Sequence, residues 1–432
     1  MARAVTQSLA GLTPDLPRKT AMQRVQSFSW PPPAAPTRTC FRLLLTRLWL
    51  ALGTALRVWA AAEPSTGPIQ LRPPESVVVA GVPLDVGDYA VPTATDWNGD
   101  GYLDLLVGYR PADKIALFLN YGTTAQPRFV SAGHLQAAGL DIVVKSGAGG
   151  SGAPAPWVGD FDGDGDRDLL VGSDADGSSI LFRNIGTDAA PALANGARLT
   201  LWNGNPLTVG AAATPCFADW DDDGRPDLLS GAGDGTVFFF RNIGTRATPW
   251  LSSGLRLQAG GVQLNLGSHS IVRVYDWDGD GLNDLVCSSS TGVYWCRNAG
   301  TKTAPALQAR LALAAPNASG QIVAIYSSNR MRLDLADWNN SGLPVLLLGN
   351  VDGTVWSFEG YRFGITAFRR SADGQVVLQW NSAPYLRYSV LTGPSVLTAK
   401  DVVGSGVASG GKTTTWTNRF LTRHQYFRVR TP

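Results

Sequence analysis

The stretch Asp96–Gly108, DWNGDGYLDLLVG, decides the fold. Asp96, Asn98, Asp100 and Asp104 stand at positions 1, 3, 5 and 9 of a nine-residue loop that runs straight into Leu-Leu-Val. Hard oxygen donors at alternate positions suit Ca2+, which takes about six to eight oxygens, several from carboxylates and some from main-chain carbonyls. Gly99 and Gly101 let the chain turn back so that these side chains converge, because glycine adopts positive φ freely. For a single copy, a solvated acidic turn is the alternative.

The loop is not single. DFDGDGDRDLLVG starts at Asp160, DWDDDGRPDLLSG at Asp219 and DWDGDGLNDLVCS at Asp276. A decayed copy, DWNNSGLPVLLLG, starts at Asp337, and the intervals are 64, 59, 57 and 61 residues. Such spacing defines a repeat. It also favours metal over mere solvation, because four loops keep carboxylates at positions 1, 5 and 9. EF-hands are excluded: they need a Glu at position 12 and flanking helices. Here position 12 is Val107, Val171, Ser230 or Cys287, and the flanks are short apolar runs typical of strands.

The third repeat shows the unit. A strand or hairpin (Leu199–Val209) precedes a strand entering the loop (Cys216–Trp220) and one leaving it (Asp227–Gly231). An Asp234-Gly235 turn, a strong hairpin signal, leads to a last strand over Val237–Asn242. The closing NIGT of this repeat recurs as NYGT, NIGT and NAGT. Four strands in about sixty residues, repeated, describe a blade of a β-propeller. After the fifth loop the register stops at Tyr361, whereas a surplus strand precedes the first loop. An all-β fold follows: a five-bladed propeller over 66–361, its ring closed by the N-terminal strand covering the last blade's open edge. A capped solenoid is the alternative. Residues 364–432, with six or seven short strands between Gly, Ser and Pro turns, read as a small β-sandwich.

These loops resemble the FG-GAP or VCBS repeat family, whose members form integrin-α-like propellers with calcium in the loop between two strands. The resemblance assigns side-chain ligands to Asp96, Asn98, Asp100 and Asp104, and to Asp160, Asp162, Asp164 and Asp168. It does the same for Asp219, Asp221, Asp223 and Asp227, and for Asp276, Asp278, Asp280 and Asp284. Main-chain carbonyls would come from Tyr102, Asp166, Arg225 and Leu282. About four structural Ca2+ ions are expected. The fifth loop, Asp337–Val345, has Ser341 and Val345 at positions 5 and 9 and is expected to be empty. The aromatic at position 2 (Trp97, Phe161, Trp220, Trp277, Trp338) persists in that decayed loop, which favours core packing over a sugar-stacking role.

Composition agrees with an all-β chain: 432 residues hold 49 Gly, 27 Pro and 14 Trp, and only 16% are charged. Residues 42–59 carry an apolar core, Leu48–Leu56, too short for the roughly 20 residues that span a bilayer. Basic residues before it and Ala60-Ala61-Ala62 after it give residues 1–62 the shape of a secretory leader, cleaved near Ala62, with an N-terminal anchor as the alternative. Without the leader the chain has 28 basic and 33 acidic residues, and no basic stripe suggests nucleic acid. The expected product is a secreted or cell-surface monomer with no membrane span.

Histidines are scattered, and no GxSxG, HExxH or Cys–His signature is present. The carboxylates are committed to metal, and a closed calcium shell lacks the open positions of a Lewis acid. A non-catalytic binding module for extracellular protein or glycan is therefore the first reading. A polysaccharide-degrading enzyme is the second, with Tyr109, Arg110, Lys145 and His269 in loops that could supply a base and cations. These four are also the candidate ligand contacts, since they belong to loops that vary between repeats and lie away from the metal loops: Asp88–Tyr89, Lys145–Ala155, Ser268–Ser270, Ser327–Arg330, Tyr109–Lys114 and Ser173–Ser178. A Thr291-Gly292 turn would place Cys287 opposite Cys296, where a disulfide can span. A register shifted by one residue would leave two buried thiols.

Overall fold

The computed structural model describes residues 68–430 apart from 125, 146–152, 327–329, 372, 394–400 and 420–425, so the leader and parts of two variable loops lie outside the described residues. Among the described residues every regular element is a strand, and no helix is long and apolar enough to cross a membrane.

Each repeat forms one antiparallel sheet. In the second, the inner strand Ala155–Gly159 pairs with Asp168–Gly172, then come Ser179–Phe182 and the outer Ala197–Arg198. The third and fourth sheets repeat this order from Thr214–Ala218 and Ile271–Tyr275. The first runs from Asp88–Thr95 out to Phe129–His134 and gains Val78–Val79 and Val82–Pro83. The fifth, from Arg332–Ala336 through Val345–Gly349 to Val355–Tyr361, has its outer position filled by the N-terminal strands Gln70–Leu71 and Glu75–Ser76. Gln70 lies opposite Tyr361 and Glu75 opposite Ser357, so the surplus strand completes the last sheet as the sequence implied.

The paired leucines after each loop explain how the sheets assemble. Strand side chains alternate between faces, and here both faces are buried. Leu106 joins a core with Leu169 of the second sheet, while Leu105 joins one with Val345 and Leu347 of the fifth. Leu170 and Leu228 share the next core, and Leu229 and Leu285 the one after. Val286 and Leu346 share the core between the fourth and fifth sheets. Apolar cores thus lie between consecutive sheets and between the last and the first, which makes the assembly a propeller. The end of the second strand of one sheet approaches the inner strand of the next so closely that a Cβ on Gly172 would stand 1.9 Å from the Ala213 carbonyl oxygen, and one on Gly349 would stand 2.1 Å from that of Ala90.

The position-2 aromatics Trp97, Phe161, Trp220 and Trp277 are buried in these cores, and Trp338 is half-buried against Phe129. Core packing is their role.

The Cys287–Cys296 expectation fails on register. Ser289 pairs with Gly292, so the turn is Ser290-Thr291, held by Ser289 Oγ accepting from the Thr291 N–H at 3.1 Å. Cys287 then faces Tyr294, and Cys296 faces Leu285. The two cysteines are free and buried, as is Cys216. Contact with Cys296, together with burial, pushes the Cys287 thiol well above its ordinary value.

Two three-stranded sheets follow, Ile365–Arg370, Gln375–Asn381 and Thr413–Arg419 in one, Asp401–Ala408, Arg387–Gly393 and Tyr426–Arg430 in the other. They share a core of Val376, Leu378, Trp380, Tyr388, Val390 and Val429, the expected small sandwich. Arg72, just after the first N-terminal strand, donates to the Ser382 carbonyl and stacks 4.7 Å above the Tyr361 ring. Glu359 pairs with both Arg72 and Lys412. The module therefore docks on the strand pair that completes the fifth sheet.

Candidate metal centres

Each loop is folded by its own carboxylates before any ion is considered. The position-1 Asp accepts main-chain N–H groups from across the loop: Asp100 and Gly101 donate to Asp96, both at 3.0 Å, and Asp223 and Gly224 donate to Asp219 at 3.1 and 2.9 Å. The position-5 Asp accepts the N–H of position 7, as Tyr102 donates to Asp100 and Leu282 to Asp280, both at 2.9 Å. The N–H groups of Asp166 and Arg225 make the same bond, and these four position-7 residues are the expected carbonyl donors.

The position-9 Asp pins the loop to the sheet. Asp104 accepts from the Trp97 N–H at 2.9 Å and the Asn120 N–H at 2.7 Å, and Asp168, Asp227 and Asp284 repeat both bonds. Asn120, Asn184, Asn242 and Asn298 are the residues of the recurrent N-x-G-T turn, so the two ends of the sequence signature meet here. Burial pushes Asp104 and Asp168 up to about 6 and Asp227 up to about 7, against the pull of these N–H donors. Burial likewise raises Asp284.

Three loops bring carboxylates together with ligand atoms within 4.8 Å of one another: Asp160, Asp162 and Asp164; Asp219, Asp221 and Asp227; Asp276, Asp278 and Asp284. The first loop, with Asn98 in place of an acid, forms no such group among the described residues. Asp162 Oδ1, Asp221 Oδ1 and Asp278 Oδ1 are buried and accept no hydrogen bond. An orphaned anionic oxygen in this position is what a bound cation would satisfy. The donor set is all oxygen, which fits Ca2+ better than softer metals. In the fifth loop Ser341 and Gly342 still donate to Asp337, at 2.8 and 2.7 Å, but Val345 is buried apolar strand.

Antiparallel pairing carries the other ends of the two strands that flank each metal loop to the far end of the sheet, as where Asp88 pairs with Arg110. There Arg110 lies 5.3 Å from the Tyr89 ring and Arg330 lies 5.9 Å from it. Buried Arg332 donates to the His269 carbonyl at 3.2 Å, and burial lowers it to about 10. Burial, then Arg332 and Arg330, lower His269 to about 4. Tyr89 and His269 both hold left-handed backbones, φ 57° and 53°. Tyr109 instead turns to His134, its hydroxyl 2.8 Å from Nε2, and Lys145 is exposed beside residues outside the described set. The structure therefore unites Arg110 and His269 through Tyr89, Arg330 and Arg332 and leaves Tyr109 and Lys145 apart. Arg332 was missed because nothing in its local sequence marks it.

A family profile of FG-GAP-like repeats matches residues 96–171 and 160–230. No curated protein sequence matches the chain. Among solved structures, a Photorhabdus luminescens Tc holotoxin pore is similar at 15% identity over 69% of this chain and 12% of that one, with a TM-score of 0.31. An Agrocybe aegerita lectin described as recognising non-reducing terminal N-acetylglucosamine is similar at 14% identity, over 82% of this chain and 96% of that one, with a TM-score of 0.32. A Lactobacillus plantarum protein is similar at 12% identity, over 78% and 90%, with a TM-score of 0.29. Residues 96–230 thus carry FG-GAP-like repeats, within a chain whose sheets form a β-propeller.

Proposed function

We propose that the chain is an exported, calcium-stabilised propeller of five blades that acts as a non-catalytic binding module, its partner an extracellular protein or glycan held at the end opposite the metal loops. One observation carries the choice of surface: the far end gathers Tyr89, Arg110, Arg330, Arg332 and His269 from three sheets, two of them on left-handed backbones. Such backbones cost about 1–3 kcal/mol each in a residue other than glycine and concentrate where function requires them. Tyrosine and arginine are also the side chains that dominate binding hot spots. The other end carries the repeated loops, three of them with an orphaned carboxylate oxygen, that would hold about four Ca2+ ions, the fifth loop staying empty. In this reading residues 1–62 direct export and the mature chain is a monomer.

A screen of glycans and extracellular proteins, with and without EDTA, tests it. Substituting Tyr89, Arg110 and His269 together should abolish binding of the ligand found while calcium-dependent melting persists. Loss of binding on Tyr102→Ala, without loss of stability, would place the partner on the metal end instead. New unsaturated or reducing ends on pectic or glucan polysaccharides would make the protein an enzyme.

A further inference from the structure

One strand position covaries with the metal loops. In the first four sheets it is the residue just before the Asn of the N-x-G-T turn, directly beyond the partner of loop position 10. It holds Leu119, Arg183, Arg241 and Arg297 in turn. In the fifth sheet the matching register position, opposite Val345, holds Glu359. Loop position 3 runs Asn98, Asp162, Asp221, Asp278 and Asn339. Arginine therefore occurs in the three sheets whose third loop residue is an acid, and in neither sheet where it is an amide.

The contacts explain the pairing. Arg183 Nη1 binds Asp162 Oδ2, Arg241 Nε binds Asp221 Oδ2 at 2.8 Å, and Arg297 Nε binds Asp278 Oδ2. Arg241 and Arg297 also reach the position-5 acids Asp223 and Asp280, at 3.1 and 2.9 Å. In all three cases the other oxygen, Oδ1, is the buried orphan. One carboxylate is thus divided between a guanidinium outside the loop and the space inside it. Leu119 packs instead on the core between the first two sheets, and Asn98 bridges to Asp100 at 3.0 Å. Counting the four loop positions and this strand residue, all four complete loops carry the same net charge of about −3 (unshifted side chains).

We infer that Arg183, Arg241 and Arg297 are resident counter-cations: each screens the extra acid of its loop while the loop is metal-free and leaves Oδ1 free for the ion. The inference rests on the calcium reading above. It makes the arginines stabilisers of the metal-free state rather than promoters of binding. The number and charge of ligands set calcium affinity over orders of magnitude, so loss of one guanidinium should tighten its site on the order of tenfold.

The test is a pair of exchanges on the full chain, read by melting in EDTA and in calcium and by calcium titration calorimetry. Arg297→Leu should lower the melting temperature in EDTA, change it little in saturating calcium and tighten one site. Should that variant fail to fold without metal, the reverse exchange in the first loop decides. Asn98→Asp alone should lower stability in EDTA, and adding Leu119→Arg should restore it. Weaker calcium binding in Arg297→Leu, or no rescue of Asn98→Asp by Leu119→Arg, would overturn the inference. A wild-type protein whose melting ignores calcium would instead overturn the calcium reading and leave the EDTA exchange as the measure of the arginines.

Discussion

Arg167 of the second loop donates to the main-chain carbonyl of Asp96, the first residue of the first loop, at 2.9 Å. The same step recurs at Asn283, which donates to the Asp219 carbonyl at 2.9 Å; elsewhere Arg246, just after the third sheet's turn, pairs with the Asp160 carboxylate at 2.9 Å, and Arg362, just beyond the fifth sheet, donates to the Asp278 carbonyl at 2.8 Å. Adjacent loops are therefore tied together rather than independent.

Calcium should accordingly stabilise the whole propeller. A ligand bound only by the native state adds about 2.7 kcal/mol per site at a hundredfold excess over Kd. Exhaustive EDTA should lower the melting temperature in a single cooperative step, and titration should approach four ions per chain. An unchanged melting curve after chelation would refute metal binding.

Gly172→Ala should destabilise the protein by about 1–3 kcal/mol, the usual range for overpacking. Its Cβ would meet the Ala213 carbonyl, which belongs to the neighbouring sheet. Gly165→Ala, where a Cβ meets nothing within 4 Å but the backbone has φ 101°, separates backbone strain from this clash. Chemical denaturation of both variants supplies the comparison, and equal losses would mean that sheet-to-sheet proximity is not the cause.

His269 should make the protein acid-sensitive. Its folded pKa, lowered to about 4, lies below the value near 6.5 of an unfolded imidazole. Between those values the unfolded chain binds the additional proton, so stability falls as pH drops through this window and is fully present above it. His269→Asn keeps a residue that tolerates the left-handed backbone. Its melting temperature should fall less than that of the wild type between pH 7 and pH 4.5. Parallel curves would show that the imidazole is not held neutral.

Cys216, Cys287 and Cys296 should all be titratable thiols once the chain is denatured, and none should react in the native state, because all three are buried. A thiol-specific reagent applied before and after denaturation measures this directly. In protein lacking residues 1–62, and with them Cys40, a single thiol after denaturation would show that Cys287 and Cys296 are bonded.

The loops were legible because their carboxylates lie within nine residues, close enough for spacing to reveal the chemistry. The completed fifth sheet was legible because one strand was surplus at the start and one was missing at the end. The Cys287–Cys296 register was legible only as two alternatives, and the structure has the shifted one, its turn bridged by Ser289 Oγ. The arginine contacts were not legible, since they join residues such as Asp221 and Arg241 through strand register rather than local pattern. The cluster at Tyr89 draws on residues from three sheets, and only the closed propeller makes them neighbours.

The strands at Gln70–Leu71 and Glu75–Ser76 leave the ribosome early, but their partner ends at Tyr361, roughly 290 residues later. At ~5–20 residues per second, that is roughly 15–60 s of translation. Through this interval these two strands lack the strand they pair with, because the fifth sheet has not yet been made. Arg72 then meets Ser382 only after a further twenty or so residues have been made. Closure of the propeller and docking of the C-terminal module are thus consecutive late events in the life of the nascent chain, and a ribosome stalled before Tyr361 would hold a propeller still open at its last edge.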